Sequence, residues 1–359
     1  SNLTYSQNNL QIFSSSAHFR PMTAYSSQVY FTEFPDHETA RLPNVGYNLF
    51  TSTSKESFLT NLQNNNLVKN QLLRDTHKNI IIPIHGLPQW LTGHAEEGYP
   101  PLDYVQWKDV VNDMVLYFKS VNTAPEVNLY YEIGNEPDLQ EFWKSDTANY
   151  LEFYKQTAEA IKQADPNAKV GGAGVNQWNG KNINTELINY AKINNIPLDF
   201  ISWHNYQTIE KIGLAKTTYD NSLNSVGNTT KPEFVITEWN GPTTALRASN
   251  LNPVLTADSF LGFYLYGIDK QTFYTWEDEV NETSPDLRYY GLITQSGNIR
   301  PLYYVYKTFD QISRTSQGVN ISINGTERRI ISKKDGNCYN ILLWSIETEA
   351  EPITKELSF

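Results

Sequence analysis

From about residue 79 onward, short β-rich runs alternate with amphipathic stretches, and no feature of the chain limits its fold more than this. Such alternation is the mark of repeated βα units around a parallel sheet. It predicts six strands, at Ile80–His85, Val127–Gly134, Ala168–Gly172, Asp199–His204, Glu233–Glu238 and Gln271–Trp276. Their starts lie roughly 30 to 50 residues apart, room each time for one strand, one helix and two loops. Between them, residues 107–121 and 147–164 carry apolar side chains at helical spacing, and the second run is followed by Asp165-Pro166-Asn167, a stop containing proline. Residues 257–266 and 302–312 read the same way. The expected fold is α/β, a (β/α)8 barrel. At 359 residues the chain has enough length for a barrel of roughly 250 residues and a small addition.

The two ends are less regular. Residues 28–34 (QVYFTEF) predict a strand and residues 55–74 a helix despite three consecutive Asn at 64–66. Only about eight residues separate 18–21 from Gln28, too few for a crossover helix. Either the first βα unit is abbreviated or the front is built differently. After Ile312 the pattern changes to β-rich runs punctuated by Asn324-Gly325 and Asp335-Gly336, which are hairpin signals. The expected organisation is a catalytic barrel over 15–312 and a small β-sandwich-like appendage over 313–359, with 1–14 as a candidate addition to it.

Composition narrows the function. A formal net charge of −11 argues against nucleic acid or an anionic membrane as partner, because both need a basic patch. No apolar stretch approaches the roughly 20 residues of a membrane span. The single cysteine, Cys338, excludes an internal disulfide and reads as a buried or half-buried strand residue. Charged residues make up 19% and aromatics 13%, with 23 Tyr and 8 Trp. That balance suits a protein acting on carbohydrate outside the cytoplasm, secreted, periplasmic or on the cell surface, since sugar rings stack on aromatic faces. Of five N-x-S/T sequons, at Asn2, Asn228, Asn281, Asn320 and Asn324, most are what chance gives in an Asn-rich chain.

Cleaving a glycosidic bond takes two carboxyl groups, one to protonate the leaving oxygen and one to attack or to activate water. In a barrel they belong at the C-terminal ends of strands. Glu136, after LYYEIGN, and Glu238, closing FVITE, both meet that demand, although a glutamate at a strand end is often merely solvated. Asn135 offers an amide to a sugar hydroxyl, and is also what a loop cap needs. His204 and Tyr206 end another strand, with the His204 ring expected beside the nucleophile. His85 ends the first predicted strand, where a core histidine is the competing reading. No His-Glu-x-x-His or similar spacing points to a metal, and this chemistry requires no cofactor. Of the tryptophans, Trp276 is the expected stacking platform under the sugar and Trp239 a second contact. Glu277, Asp278 and Glu279 read as a solvated acidic loop.

Taken in order, GNEPDL (134–139), FW (142–143), VGG (170–172), DFIS-x-H-x-Y (199–206), TEWN (237–240), YGL (290–292) and Pro301-x-Tyr303 resemble the clan of barrel glycosidases with Asn-Glu-Pro after strand 4 and Glu after strand 7. Within that clan they look most like glycoside hydrolase family 39, with family 79 second because Gly134 stands where xylosidases and iduronidases carry Trp. The resemblance implies retention of anomeric configuration, Glu136 as acid/base, Glu238 as nucleophile, and Asn135, His204, Tyr206 and Trp276 in the binding subsite. The family's strand 2 usually shows an Arg and a His before a Gly, whereas VYFTEF here lacks them. A catalytically inactive, carbohydrate-binding barrel is the alternative from another class; retention of both carboxylates in motif context argues against it.

Overall fold

The computed structural model describes residues 10–14, 16–18, 29–30, 32–34, 37–42, 44–64, 77–122, 126–178, 182–227, 231–316, 318–333 and 339–346. Eight parallel strands close into a barrel in chain order: β1 (Ala17–His18), β2 (His37–Arg41), β3 (His77–Ile84), β4 (Asn128–Ile133), β5 (Lys169–Val175), β6 (Phe200–Asn205), β7 (Glu233–Trp239) and β8 (Lys270–Phe273). The ring closes where Ala17 pairs with Phe273. Alternation along each strand sorts the side chains into two cores. Ile80, Ile82 and Ile84 of β3 face the helices, whereas Ile81 joins Tyr130, Phe200 and Val235 in a separate cluster. In β4 the parity that sends Tyr130 to that cluster also assigns Glu132, fully buried, to the same side.

The helices obey their sequence periodicity. Tyr104–Val121 buries Trp107, Val110, Val111, Met114, Val115 and Phe118, a stripe at spacings of three and four. It begins three residues before its expected start because the Asp103 side chain accepts from the Val105 and Gln106 amides. Thr147–Ala164 is capped likewise by Asp146. Helix Lys55–Asn64 follows the sequence reading; the rest of that expected helix, like Cys338, Asn2 and Asn228, lies outside the described residues. No described helix is long and apolar enough to cross a membrane.

The front of the barrel corrects the sequence reading. In the segment expected to be a strand, residues 29–30 and 32–33 are helical, and the Phe34 amide donates to the Tyr30 carbonyl at 3.0 Å. Tyr30 and Phe34, four apart and both fully buried, stack at 6.0 Å and pack on Trp276. A four-residue spacing of buried rings is helical, and it outweighs the β-propensity of the same residues. Strand 2 is instead HETAR, a polar run that buries Thr39 and Arg41 on one face and Ala40 on the other.

Beyond helix Pro301–Thr315, three antiparallel strands form a sheet: β9 (Gly318–Asn324), β10 (Glu327–Lys333) and β11 (Tyr339–Ser345), with β10 central. Gly325, at φ 59°, turns β9 into β10, as the Asn-Gly signal predicts. Among the described residues the appendage is one sheet, and it packs on helices rather than on a second sheet. Arg328 pairs with Asp258 at 3.0 Å and Trp344 meets Phe309 edge-on. Leu10–Phe13, a 3-10 turn, brings Phe13 against Phe260 and Phe309 of the same two helices.

Candidate active site

At the C-terminal end of the barrel, β2, β4, β6 and β7 deliver their last side chains to one point. After β4 the chain turns through Gly134, at φ 109°, and Glu136, at φ 47°. A left-handed glutamate is uncommon and costs backbone energy; here the Glu136 amide donates to the Gly174 carbonyl at 2.8 Å, which ties the turn to β5. On β7 the pairing slips by one residue. Trp203 pairs with Ile236, yet His204 pairs with Glu238, so a bulge at Thr237 sets Glu238 beside His204. Bulges re-aim side chains in this way next to functional sites.

Arg41 organises the centre. Its Nε and Nη2 both reach Glu132 Oε2, at 2.7 and 2.6 Å. Nη1 donates to Glu238 Oε1 at 2.6 Å and Nη2 to Asn135 Oδ1 at 2.9 Å. Glu132, fully buried, also accepts from the Thr237 hydroxyl at 2.6 Å. Burial pushes its carboxyl up, but the Arg41 charge, helped by His204 and by hydroxyl donors, holds it below the ordinary carboxylate range. Glu238 takes a further bond from the Tyr206 hydroxyl at 2.8 Å.

Glu136 has different neighbours. Its Oε1 faces His204 Nδ1 at 2.8 Å and accepts from the Asn176 amide at 2.9 Å. Burial raises the Glu136 carboxyl, yet the His204 bond and charge, the Asn176 bond and the Arg41 charge together bring it below its ordinary value. For His204, burial works against protonation, but Glu238 and Glu136 outweigh it and the ring is held above the ordinary histidine value. The ring thus sits between both carboxylates, 2.8 Å from Glu136 and 3.6 Å from Glu238. The sequence reading placed it beside the nucleophile alone.

Of the residues singled out in the sequence, Asn135, Glu136, His204, Tyr206 and Glu238 meet here. His85 follows β3 with its Nδ1 shielded and lacking a hydrogen-bond partner among the described residues. Gly46 makes room for this ring, since a Cβ there would lie 2.5 Å from His85 Nε2. Burial and the Arg41 charge push His85 down to about 4, so it is neutral at pH 7. The two tryptophans are corrections. Trp276 is fully buried under Tyr30, Phe34 and Tyr303, and Trp239 is fully buried among Phe260, Phe263 and Phe273 with its indole N–H on Gln271. Neither ring offers a face to a sugar. The aromatic ring in contact with Glu238 is instead that of Tyr206, which packs against Tyr274 and Tyr290 at 6.4 and 6.1 Å. The acidic loop is also structural: Glu277 and Asp278 are buried, and Asp278 pairs with Arg300.

Arg41, Glu132 and Asn176 were missed. Arg41 ends a polar pentapeptide whose alternation is easily overlooked, but an arginine closing a barrel strand is itself a signal. The oxygens of Glu136 and Glu238 and a ring nitrogen of His204 lie within 4.8 Å of one another, a spacing that could suit a cation. Arg41 already places a positive charge on Glu238, and we assign no metal.

Residues 92–231 match the model of glycosyl hydrolases family 39. That segment contains Glu136, His204 and Tyr206 but ends before Glu238. A β-xylosidase of Geobacillus stearothermophilus is 34% identical over 113 residues, 30% of this chain and 21% of the relative. An α-1,4-L-rhamnosidase of Formosa agariphila is 33% identical over 117 residues, 30% of this chain and 22% of the relative. These alignments therefore span about a fifth of the curated relatives' length. Among solved structures, the family 39 enzyme of Xanthomonas axonopodis pv. citri superposes with a TM-score of 0.70 at 18% identity, covering 92% of this chain and 73% of that one. A family 39 β-xylosidase of Caulobacter crescentus gives 0.69 at 19% identity, covering 92% and 79%. At such identities the superpositions bear on the fold alone.

Proposed function

We propose that this chain is a clan A glycoside hydrolase of the family 39 type that cleaves a polysaccharide or oligosaccharide with retention, using Glu238 as nucleophile and Glu136 as acid/base. One observation carries the reading: oxygens of the two carboxylates approach within 4.8 Å. Retaining enzymes keep their carboxyl groups about 5 to 5.5 Å apart, whereas inverting ones leave roughly 6.5 to 9.5 Å for a water molecule. The roles follow from the surroundings. Glu238 carries a guanidinium and a phenol on its two oxygens, which suits a carboxylate that must be anionic when it attacks. Glu136 lies against an amide and an imidazole, and the imidazole is a partner that can take or give a proton.

In the first step Glu136 protonates the departing oxygen while Glu238 attacks the anomeric carbon. In the second, Glu136 takes a proton from water as water displaces Glu238. Asn135, oriented by Arg41, is placed to bond a sugar hydroxyl, and the neutral His85 to contact the substrate from the β3 side. Tyr206, with Tyr274 and Tyr290, gives the sugar an aromatic wall. Action outside the cytoplasm belongs to the same proposal and rests on the low charged fraction and the aromatic content. The test is hydrolysis of a panel of aryl glycosides, beginning with β-xylosides and α-L-rhamnosides because relatives bear those names. Glu136→Ala and Glu238→Ala should each lower turnover on the cleaved substrate by orders of magnitude without unfolding the protein; full activity in either would refute the assignment.

A further inference from the structure

A glycosidase acid must start each cycle protonated, and the surroundings of Glu136 favour the opposite. Its Oε1 accepts from the Asn176 amide, a donor that stabilises a carboxylate, and faces His204 Nδ1, which does the same when that nitrogen carries a hydrogen. His204 is fully enclosed, with side-chain exposure of 0%. The 2.8 Å contact between Glu136 Oε1 and His204 Nδ1 can therefore hold one proton, on either of its two atoms.

We propose that His204 stores the proton that Glu136 delivers, and that it crosses the 2.8 Å Nδ1···Oε1 contact when substrate fills the site. The inference rests on the retaining reading above and adds the source of its acid. Before binding, His204 is an imidazolium between two carboxylates. A sugar entering the cleft removes water from Glu136, and desolvation favours neutral over ionised pairs. The Nδ1–H bond then breaks and an O–H bond forms on Glu136, leaving neutral imidazole and a carboxylic acid. That acid gives its proton to the glycosidic oxygen as the C–O bond breaks and Glu238 bonds to the anomeric carbon. When water releases the sugar, its proton goes to Glu136 and returns to Nδ1, so the cycle closes without an outside acid.

The charges around the ring support this. Glu136 and Asp138 follow β4, Glu132 is within it, Glu238 comes from β7, Arg41 from β2 and His85 follows β3. Glu132 is taken up by Arg41, and His85 is neutral at pH 7. The carboxylates of Glu136 and Glu238 thus dominate the field at His204 and hold its proton above the ordinary histidine value. Nothing comparable supports the Glu136 carboxyl as the resting proton site.

Nitrogen-15 NMR of the histidine rings tests the store directly, without turnover. The protein has six histidines, and His204→Asn identifies the signal. His204 should remain imidazolium at about pH 7.5, beyond the ordinary value near 6.5, and its midpoint should fall by about one unit or more in Glu136→Gln. A neutral His204 ring at pH 7.5 in the resting enzyme would overturn the proposal while leaving the glycosidase reading intact. A second readout uses leaving groups. In His204→Asn, kcat/KM for an alkyl glycoside, which needs protonation, should fall on the order of tenfold more than for a nitrophenyl glycoside, which needs little. Equal losses on both would indicate a purely structural histidine and contradict it. If the activity instead survives in Glu136→Ala and Glu238→Ala, the roles given to the two carboxylates fail and delivery through Glu136 fails with them, a failure that the NMR of His204 does not register.

Discussion

Glu136 and Glu238 occupy one cleft, yet they are held by different kinds of group. Glu238 is fixed by a guanidinium that is itself locked to buried Glu132, and by a phenol. Glu136 is held by an amide and an imidazole on a backbone turn in the left-handed region. The hydrogen bonds described on Glu238 come from groups that do not exchange protons near neutral pH, whereas Glu136 is in hydrogen-bond contact with one that does, the His204 ring, which lies farther from Glu238 at 3.6 Å. Two identical side chains can thus take two roles, because their environments separate them.

The strongest way to break the contrast is to remove its fixed half. Arg41→Met leaves Glu132 buried without its cation, and losing one partner of a buried pair costs about 3–5 kcal/mol. Thermal or denaturant unfolding should register that loss, and kcat/KM should fall on the order of 10²–10³-fold. Near-normal activity would show that Glu238 needs no guanidinium. Tyr206→Phe takes one hydrogen bond from the same carboxylate. A bond to a charged group is worth about 1.5–3 kcal/mol, so the loss should be roughly ten- to hundredfold, with KM changed less than kcat if the phenol acts on the nucleophile.

The third prediction concerns stability on the β3 side. His85 titrates at about 4 when folded and near 6.5 when unfolded. Between those values the unfolded chain binds the extra proton, so stability is complete above about pH 6.5 and declines as pH falls toward 4. The decline should amount to 2–3 kcal/mol as an order-of-magnitude figure, and His85→Gln should flatten it in an unfolding series run from pH 7 to 4. An unchanged slope in that variant would place the His85 ring in a more open environment.

The same contrast separates what was legible in the sequence from what was not. From β3 to β8, apolar periodicity and strand-end glutamates sufficed, and GNEPDL and TEWN sit where the barrel needs them. Before β3 the reading failed because local propensity and packing disagree. QVYFTEF is rich in β-formers, but its Tyr30 and Phe34 bury together one helical turn apart. The true strand, HETAR, ends in a polar residue because Arg41 serves the site. Once β2 is placed there, the arginine that seemed to be missing from strand 2 is present as Arg41. Trp276 and Trp239 failed for a related reason: a tryptophan at the end of a strand can face either side, and the Thr237 bulge and the packing of Tyr30 and Phe34 are tertiary facts.

Azide rescue tests the division of labour most directly. With an aryl glycoside that the enzyme cleaves, Glu238→Gly supplied with azide should give a glycosyl azide of inverted configuration, because the anion attacks from the face the carboxylate has vacated. Glu136→Gly should instead give the azide of retained configuration, because there azide intercepts the glycosyl–Glu238 intermediate. Retained product from Glu238→Gly, or inverted product from Glu136→Gly, would contradict the assignment of the two carboxylates.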